Sequence, residues 1–305
     1  MAYRFKLSEP FDVGVRRIGV QQIDKALEQL QSGQANAVAV HATRKGLKRL
    51  RALLRLARPG LGESVYKHEN ARYRDIGRLL AAQRDDVVVM ETVSTFETAA
   101  SGRTKSAFAA AKARLSKGAG VSAGQTGALG QAVARLTEGR RHMEELALSG
   151  PKFESAWEGL ERAYRQAERA FETATHTRDN EDVHAWRKRV QYHWRHVMLL
   201  SAVWPEEMAA RIATARQLSA LLGQDHDIAV MLATLADDAA LELSGKMTAH
   251  QRKLAEAFAL ERQAALRRDA QHLSERLFAE SASAFRQRIE IYWASAVAGR
   301  DLADD

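Results

Sequence analysis

The chain has 305 residues and no cysteine, which excludes disulfide scaffolds, thiolate metal sites and cysteine nucleophiles. A hydrophobic fraction of 46% with 28% charged residues is that of a folded globular protein and argues against disorder. The 46 lysines and arginines outnumber the 38 acidic residues and give a formal net charge of +8. Such an excess favours a polyanionic partner: nucleic acid, an acidic membrane surface or a phosphate polymer.

Helical periodicity runs along almost the whole chain and predicts an all-α protein. Richness in Ala, Leu, Arg and Glu favours helix, and there are only four prolines. Predicted helix starts lie near Val15, Asn36, Leu61, Asp85, Thr126, Phe153, Glu181, Glu206, Asp227, Ser244 and Ser281. The glycine-rich stretch 116–130 is predicted to be a loop. There is no long apolar run and no apolar signal region, so we expect no membrane span, no signal peptide and a cytoplasmic location.

Two motifs recur at nearly constant spacing and predict an internal repeat. The segment Val40–Lys45 (VHATRK) returns 143 residues later as Val183–Lys188 (VHAWRK). The segment Arg74–Asp85 returns 142 residues later as Arg216–Asp227, with its Arg, Leu-Leu and Asp positions shared. The economical explanation is a single domain over 1–305, built from two equivalent helical bundles with boundaries near 10–148 and 151–300.

The first copy of the motif lies in a segment, 29–62, that contains no acidic residue. At 100° per residue, its basic side chains form one stripe about 60° to either side of His41. The stripe consists of His41, Arg44, Lys45, Lys48 and Arg55, with Arg51 at its edge. The opposite face carries Leu47, Leu50, Leu53 and Leu54. This pattern predicts an amphipathic helix with leucines in the core and a cationic strip about three turns long.

The second copy keeps only part of this stripe. His184, Arg187 and Lys188 stand at their places, whereas Gln191 and Trp194 replace two cations, and Arg195 rotates back onto the same face. No acidic residue occurs between Asp182 and Glu206. Because half one has more cations on one face, the sequence predicts that it contributes more to binding than half two.

The stripes lack the acidic partners that a solvated helix face usually carries. Like charges one turn apart repel by a few tenths of a kcal/mol per pair. The simpler interpretation is that each stripe is a charged helix face exposed to water. Two acid-free stripes in equivalent halves instead favour binding of an external polyanion. Arginine offers phosphate a planar fork of donors, and lysine offers a compact charge.

The histidines divide into two groups. His41 and His184 lie on the cationic side, and we expect them to contact phosphate or water. Neither has a histidine or carboxylate three or four residues on, which makes a metal site improbable. His193 and His196 fall on the apolar side and are predicted to be packing residues.

Three further arginines follow the basic helices. Arg74 and Arg78 share a face of the next helix, and Arg216 repeats the first of them. The acids Asp85 and Asp227 are interpreted as structural, because each either caps the helix that follows it or pairs with an arginine of the basic helix.

These motifs resemble the CHAD domain, the conserved histidine α-helical domain. Its hallmark is a repeated His-x-x-Arg-Lys/Arg helix with further lysines and arginines at one-turn spacing, which His41–Arg51 and His184–Lys188 match. Its later element, an Arg followed by Leu-Leu-Gly and Arg-Asp, resembles Arg74–Asp85 and Arg216–Asp227.

The resemblance implies an all-helical fold of two pseudo-symmetric four-helix bundles around a basic central channel. It also implies binding of inorganic polyphosphate, with no established catalysis, and it leaves an association with polyphosphate granules open. We therefore predict non-enzymatic polyphosphate binding without cofactor or metal ion. The predicted binding residues are His41, Arg44, Lys45, Lys48, Arg51, Arg55, Arg74, Arg78, His184, Arg187, Lys188, Arg195 and Arg216.

Two alternatives belong to other classes. A nucleic-acid-binding helical protein would share the basic stripes, and for single strands it would add aromatic side chains that stack on bases, for which Trp186 and Trp194 are the candidates. A phosphate-polymer hydrolase or transferase would need a carboxylate cluster for metal or a phosphate-cradling glycine loop, and the sequence contains no Gly-x4-Gly-Lys-Ser/Thr.

Overall fold

The computed structural model describes residues 3–32, 37–80, 84–118, 125–149, 153–236 and 247–304, and all regular structure within these ranges is helical. The all-α prediction is confirmed. The helices before residue 150 are α1 (Phe11–Gln31), α2 (Ala37–Leu56), α3 (Arg58–Leu61), α4 (Glu63–Leu79), α5 (Arg84–Ala99), α6 (Gly102–Gly118) and α7 (Gln125–Glu144). Those after it are α8 (Glu154–Thr177), α9 (Asn180–Leu199), α10 (Pro205–Ala236), α11 (Ala249–Leu277) and α12 (Ala282–Asp304).

Most predicted helix starts lie close to the observed ones, but three features differ. The start near Asp227 is wrong, because α10 continues without a break from Pro205 to Ala236. The predicted start near Ser244 lies outside the described residues, and α11 begins at Ala249 after a capping box in which Thr248 and Gln251 each accept from the other's backbone N–H. The helix α6 was not predicted at all.

The predicted loop over 116–130 is too wide. Helix α6 extends to Gly118 and α7 begins at Gln125, while residues 119–124 lie outside the described part. A glycine costs a helix only about 1 kcal/mol. Packing of α6 on α5 and α11, and of α7 on α1 and α4, outweighs that cost.

The helices pack in three groups. Helices α1, α2, α4 and α7 contact one another in the first half, and α8, α9, α10 and α11 do so in the second. Helices α5 and α6 pack on α10 and α11 around a smaller core that includes Phe96, Phe108 and Met231. The first half therefore contacts the second in two places: α5 and α6 pack on α10 and α11, and α2 and α3 pack on α8 and α9.

One hydrophobic core runs through both halves. It contains Leu50 and Leu53 of α2 together with Val190 and Val197 of α9. Helix α8 approaches α2 so closely that a Cβ atom at Gly159 would overlap the carbonyl oxygen of Leu56. This close backbone contact fixes how the halves sit relative to each other, and with them α2 and α9.

Candidate functional site

The amphipathic pattern of α2 places its leucines inside and its cations outside. Leu47, Leu50, Leu53 and Leu54 are buried, at 3% exposure or less, which confirms the predicted core face. Helix α9 begins after a tight turn at Arg178, and the Asp179 carboxylate caps it by accepting from the backbone N–H groups of Glu181 and Asp182. These acids suit the positive end of the helix dipole, and the chain after them is free of acid to Glu206.

The two basic helices meet. Nε2 of His196 in α9 donates to the carbonyl oxygen of Ala52 in α2 at 2.9 Å, and the guanidinium of Arg55 lies 4.2 Å from the ring centre of Tyr192. A cavity of about 240 Å³ opens between the helices. It is lined by Lys48 and Arg51 from α2 and by His184, Arg187, Lys188, Gln191, Tyr192 and Arg195 from α9.

The lining of this cavity, which we call the cationic cavity, carries charge of one sign. None of the described side chains that line it is acidic. Two of its arginines bond neutral groups: Nε of Arg51 donates to Oδ1 of Asn70 at 3.0 Å, and Nη1 of Arg195 donates to the carbonyl oxygen of Gln191 at 2.7 Å. These contacts orient the guanidinium groups without neutralising them.

The positive charges around the cavity shift the pKa values of neighbouring side chains. Burial raises the pKa of Tyr192, but Arg51 and Arg55 outweigh burial, so that this pKa lies below its ordinary value of 10.0. The pKa of Arg189 is lowered by burial and then by Arg55. Burial, followed by Lys188 and Arg187, likewise lowers the pKa of His184. A phenol that ionises more readily in spite of burial indicates a strongly positive local potential.

The structure separates the histidines as the sequence predicts. His184 lines the cationic cavity, where its ring stacks on that of His226 from α10 at a centroid distance of 4.2 Å. His193 and His196 are completely buried, which confirms their packing role. Burial lowers the pKa of His193 well below 6.5 and that of His196 to about 3.

The remaining residues predicted on α2 lie outside the cavity lining. His41, Arg44 and Lys45 occupy the first half of α2, before the turn that carries Lys48, and His41 and Lys45 are exposed. Arg55 lies beyond the cavity, with its guanidinium over Tyr192. The stripe is therefore real, but only its middle turns, at Lys48 and Arg51, line the cavity.

The arginines predicted on the following helices are not brought into the cavity. On α4, Arg74 and Arg78 lie 2.8 and 3.4 Å from the carboxylate of Asp75, and Arg216 is exposed on α10. Asp227 lies well inside α10, so its interpretation as a helix cap is wrong, while the side chain of Asp85 lies outside the described part.

Three residues at the site were missed by the sequence analysis: Gln191 and Tyr192 line the cavity, and His226 stacks on His184. A helical projection places Tyr192 about 80° from His184, so the signal was present. Trp186, proposed as a stacking side chain, is instead 2% exposed and tilted against Phe171 at 5.3 Å. No comparable signal pointed to His226, because α10 was predicted to break there.

Comparison with known proteins gives a family match and a structural one. The model of the family described as CHAD domain matches residues 20–236. The fold is similar to that of PptA from Streptomyces chartreusis, with a TM-score of 0.59 and 12% identity over 90% of this chain and 100% of that chain. No curated protein matches the chain. Among the described residues, no helix is long and apolar enough to cross a membrane.

Proposed function

The chain belongs to the CHAD domain family, and we propose that it binds inorganic polyphosphate in the cationic cavity without turning the polymer over. The proposal rests chiefly on one observation: α2 and α9, one from each half, jointly line a cavity with cations and no acid among its described side chains. We also propose that α1, α2, α4 and α7 form a bundle equivalent to α8–α11, with the cavity as part of a basic channel between them.

The chemistry of the lining suits a polymer of phosphates. Polyphosphate carries about one negative charge per unit and has no bases to be read, so charge and counterion release supply the affinity, as for other polyanions. Arg51, Arg187 and Arg195 offer planar forks of donors, and Lys48 and Lys188 offer point charges. A long chain can contact both helices at once, whereas orthophosphate reaches only one or two groups.

The aromatic side chains favour polyphosphate over single-stranded nucleic acid. Bases bind such proteins by stacking on open aromatic faces. The aromatic residue of the cavity is Tyr192, and Arg55 lies over its ring at 4.2 Å. Trp186 is buried, and Trp194 is partly buried against the core.

The proposal of a binding protein rather than an enzyme is supported by the donor set of the cavity. Phosphoryl transfer uses carboxylates to hold metal ions or to position the nucleophile. The described side chains of the lining include no carboxylate. Asp225, a buried acid that interacts with Arg187, is engaged by Nε of Arg267 at 2.7 Å.

A competition experiment tests the proposal. Labelled long-chain polyphosphate is bound to the protein and then challenged with orthophosphate, single-stranded DNA and RNA at equal phosphate concentration, while free phosphate is measured with and without divalent metal. We expect unlabelled polyphosphate to compete best and no phosphate release above background. Equal competition by orthophosphate or RNA would contradict the ligand assignment. Turnover that disappears in Arg187→Ala would contradict the absence of catalysis.

A further inference from the structure

Two imidazoles lie face to face beside the cationic cavity. His184 comes from the second turn of α9, and His226 comes from the last third of α10, with an angle of 25° between their rings. Both side chains are partly buried. In the repeat, His226 stands where half one has Arg84, so a permanently charged residue is replaced by one that titrates near neutral pH.

The charged groups that act on this pair belong to α9 and α2. Helix α9 contributes Arg187 and Lys188 with one acid, Glu181, and α2 contributes Lys48. On α10 itself, Asp225 interacts with Arg187 and is paired with Arg267 of α11, and Asp227 follows His226 in the chain. Of α5, the side chains of 84–87 lie outside the described part. The surroundings of the two rings are therefore mainly cationic.

These surroundings keep the two rings neutral in the free protein. Burial, then the neighbouring His184 and then Arg187, Lys188 and Lys48 lower the pKa of His226 to about 4. The pKa of His184 is also below 6.5, through burial and then Lys188 and Arg187. Three of the groups that oppose protonation, Lys48, Arg187 and Lys188, also line the cavity and would be neutralised by a bound polyanion.

We propose that the stacked pair His184 and His226 is a proton-dependent part of the binding site, which takes up a proton when polyphosphate binds and so strengthens binding as the pH falls. This inference rests on the proposed function. A phosphate chain on Lys48 and Lys188 removes the repulsion that disfavours an imidazolium and adds attraction to it. By reciprocity, protonation of the pair must strengthen the binding of the chain to the same extent.

The sign and size of the effect follow from this linkage. Binding raises the pKa of the pair, so affinity is independent of pH well above the bound-state pKa and rises as the pH falls through it. One proton taken up changes the dissociation constant by at most tenfold per pH unit. Because two stacked imidazolium rings repel each other, we expect uptake of about one proton by the pair. The internal phosphates of a long chain do not titrate in this range, so the ligand itself stays constant.

The test is a titration of long-chain polyphosphate into the full chain between pH 8 and pH 5.5 at constant ionic strength. Calorimetry in two buffers of different protonation enthalpy counts the protons taken up. We expect affinity to rise by roughly tenfold over this range. The slope should fall by half or more in His226→Gln, whereas His272→Gln, an exposed histidine on α11, should behave as the wild type. His226→Arg, which restores the residue type of half one, should bind tightly at pH 8 with a reduced slope.

The outcomes separate this inference from the proposed function. A flat wild-type profile with no proton uptake would overturn the inference and leave polyphosphate binding intact. An unchanged slope in both His184→Gln and His226→Gln would overturn it as well, because another group would then be titrating. Absence of binding to wild type at every pH would instead contradict the proposed function.

Discussion

Helices α2 and α9 carry the same motif but present it differently. On α2 the basic side chains are numerous and either exposed or partly buried, and only Lys48 and Arg51 line the cavity. On α9 they are fewer and more buried, with Arg195 at 7% exposure, yet this helix supplies most of the lining. The number of cations on a helix face therefore does not determine its share of a site; the turn at which the helix meets its partner does. Most residues that line the cavity come from half two, whereas the sequence predicts that half one contributes more to binding.

The difference between α2 and α9 depends first on the contact that holds the two halves together. A substitution at Gly159 tests this contact most directly. Gly159→Ala drives a Cβ atom into the carbonyl oxygen of Leu56, and backbone cannot move aside as a flexible side chain can. We expect a loss of about 3 kcal/mol in the free energy of unfolding, measured by urea denaturation. Gly130→Ala, an open helical position, should be neutral or slightly stabilising. Equal stability of the two variants would contradict the close α2–α8 contact.

Three double variants that each remove two positive charges rank the regions directly. Arg187→Ala with Lys188→Ala removes two cations of the cavity. Each screened phosphate contact contributes about 1 kcal/mol, so this double variant should bind polyphosphate roughly thirtyfold more weakly. Arg44→Ala with Lys48→Ala removes one lining cation and should cost roughly fivefold. Titration against labelled polymer measures both.

The third variant, Arg74→Ala with Arg78→Ala, is the control for net charge. These arginines do not line the cavity, and the carboxylate of Asp75 offsets part of their charge. We expect a change of less than about twofold. Equal losses in all three doubles would mean that overall charge, rather than the cavity, binds the polymer.

The smallest expected effect is a spectroscopic one at Tyr192. Arg51 and Arg55 hold the pKa of this phenol below its ordinary value, so a polyanion that masks them should raise it. The measurement is the ultraviolet absorbance change of tyrosine ionisation with and without polyphosphate. The difference between the two curves should vanish in Tyr192→Phe. A ligand-dependent shift that persists in this variant would place the polymer near another tyrosine.

Sequence periodicity was sufficient to predict which side chains enter the core. The leucine face of α2 and the burial of His193 and His196 follow from the helical repeat alone, because side chains on the apolar face of a packed helix lie in the core. The repeated His-x-x-Arg-Lys motif likewise located both basic helices.

Tertiary packing determined what the sequence could not predict. Gly223 and the polar residues that follow it are typical of a helix end, yet α10 continues through them because it packs against α9, α11 and α5. The pairing of His226 with His184 depends on that continuity. Which turns of α2 face α9 depends on how the helices cross, and a single helical projection does not contain that information.

The central claim, that one polyanion contacts both halves, is tested most directly by the salt dependence of polyphosphate affinity. Five lining cations, Lys48, Arg51, Arg187, Lys188 and Arg195, predict a slope of log affinity against log salt of about −3 to −4, at roughly 0.7 per neutralised phosphate of a flexible strand. Lys48→Gln in α2 and Lys188→Gln in α9 should each reduce the slope by about 0.7. A slope that is flat in wild type, or that Lys48→Gln leaves unchanged, would contradict binding across the two halves.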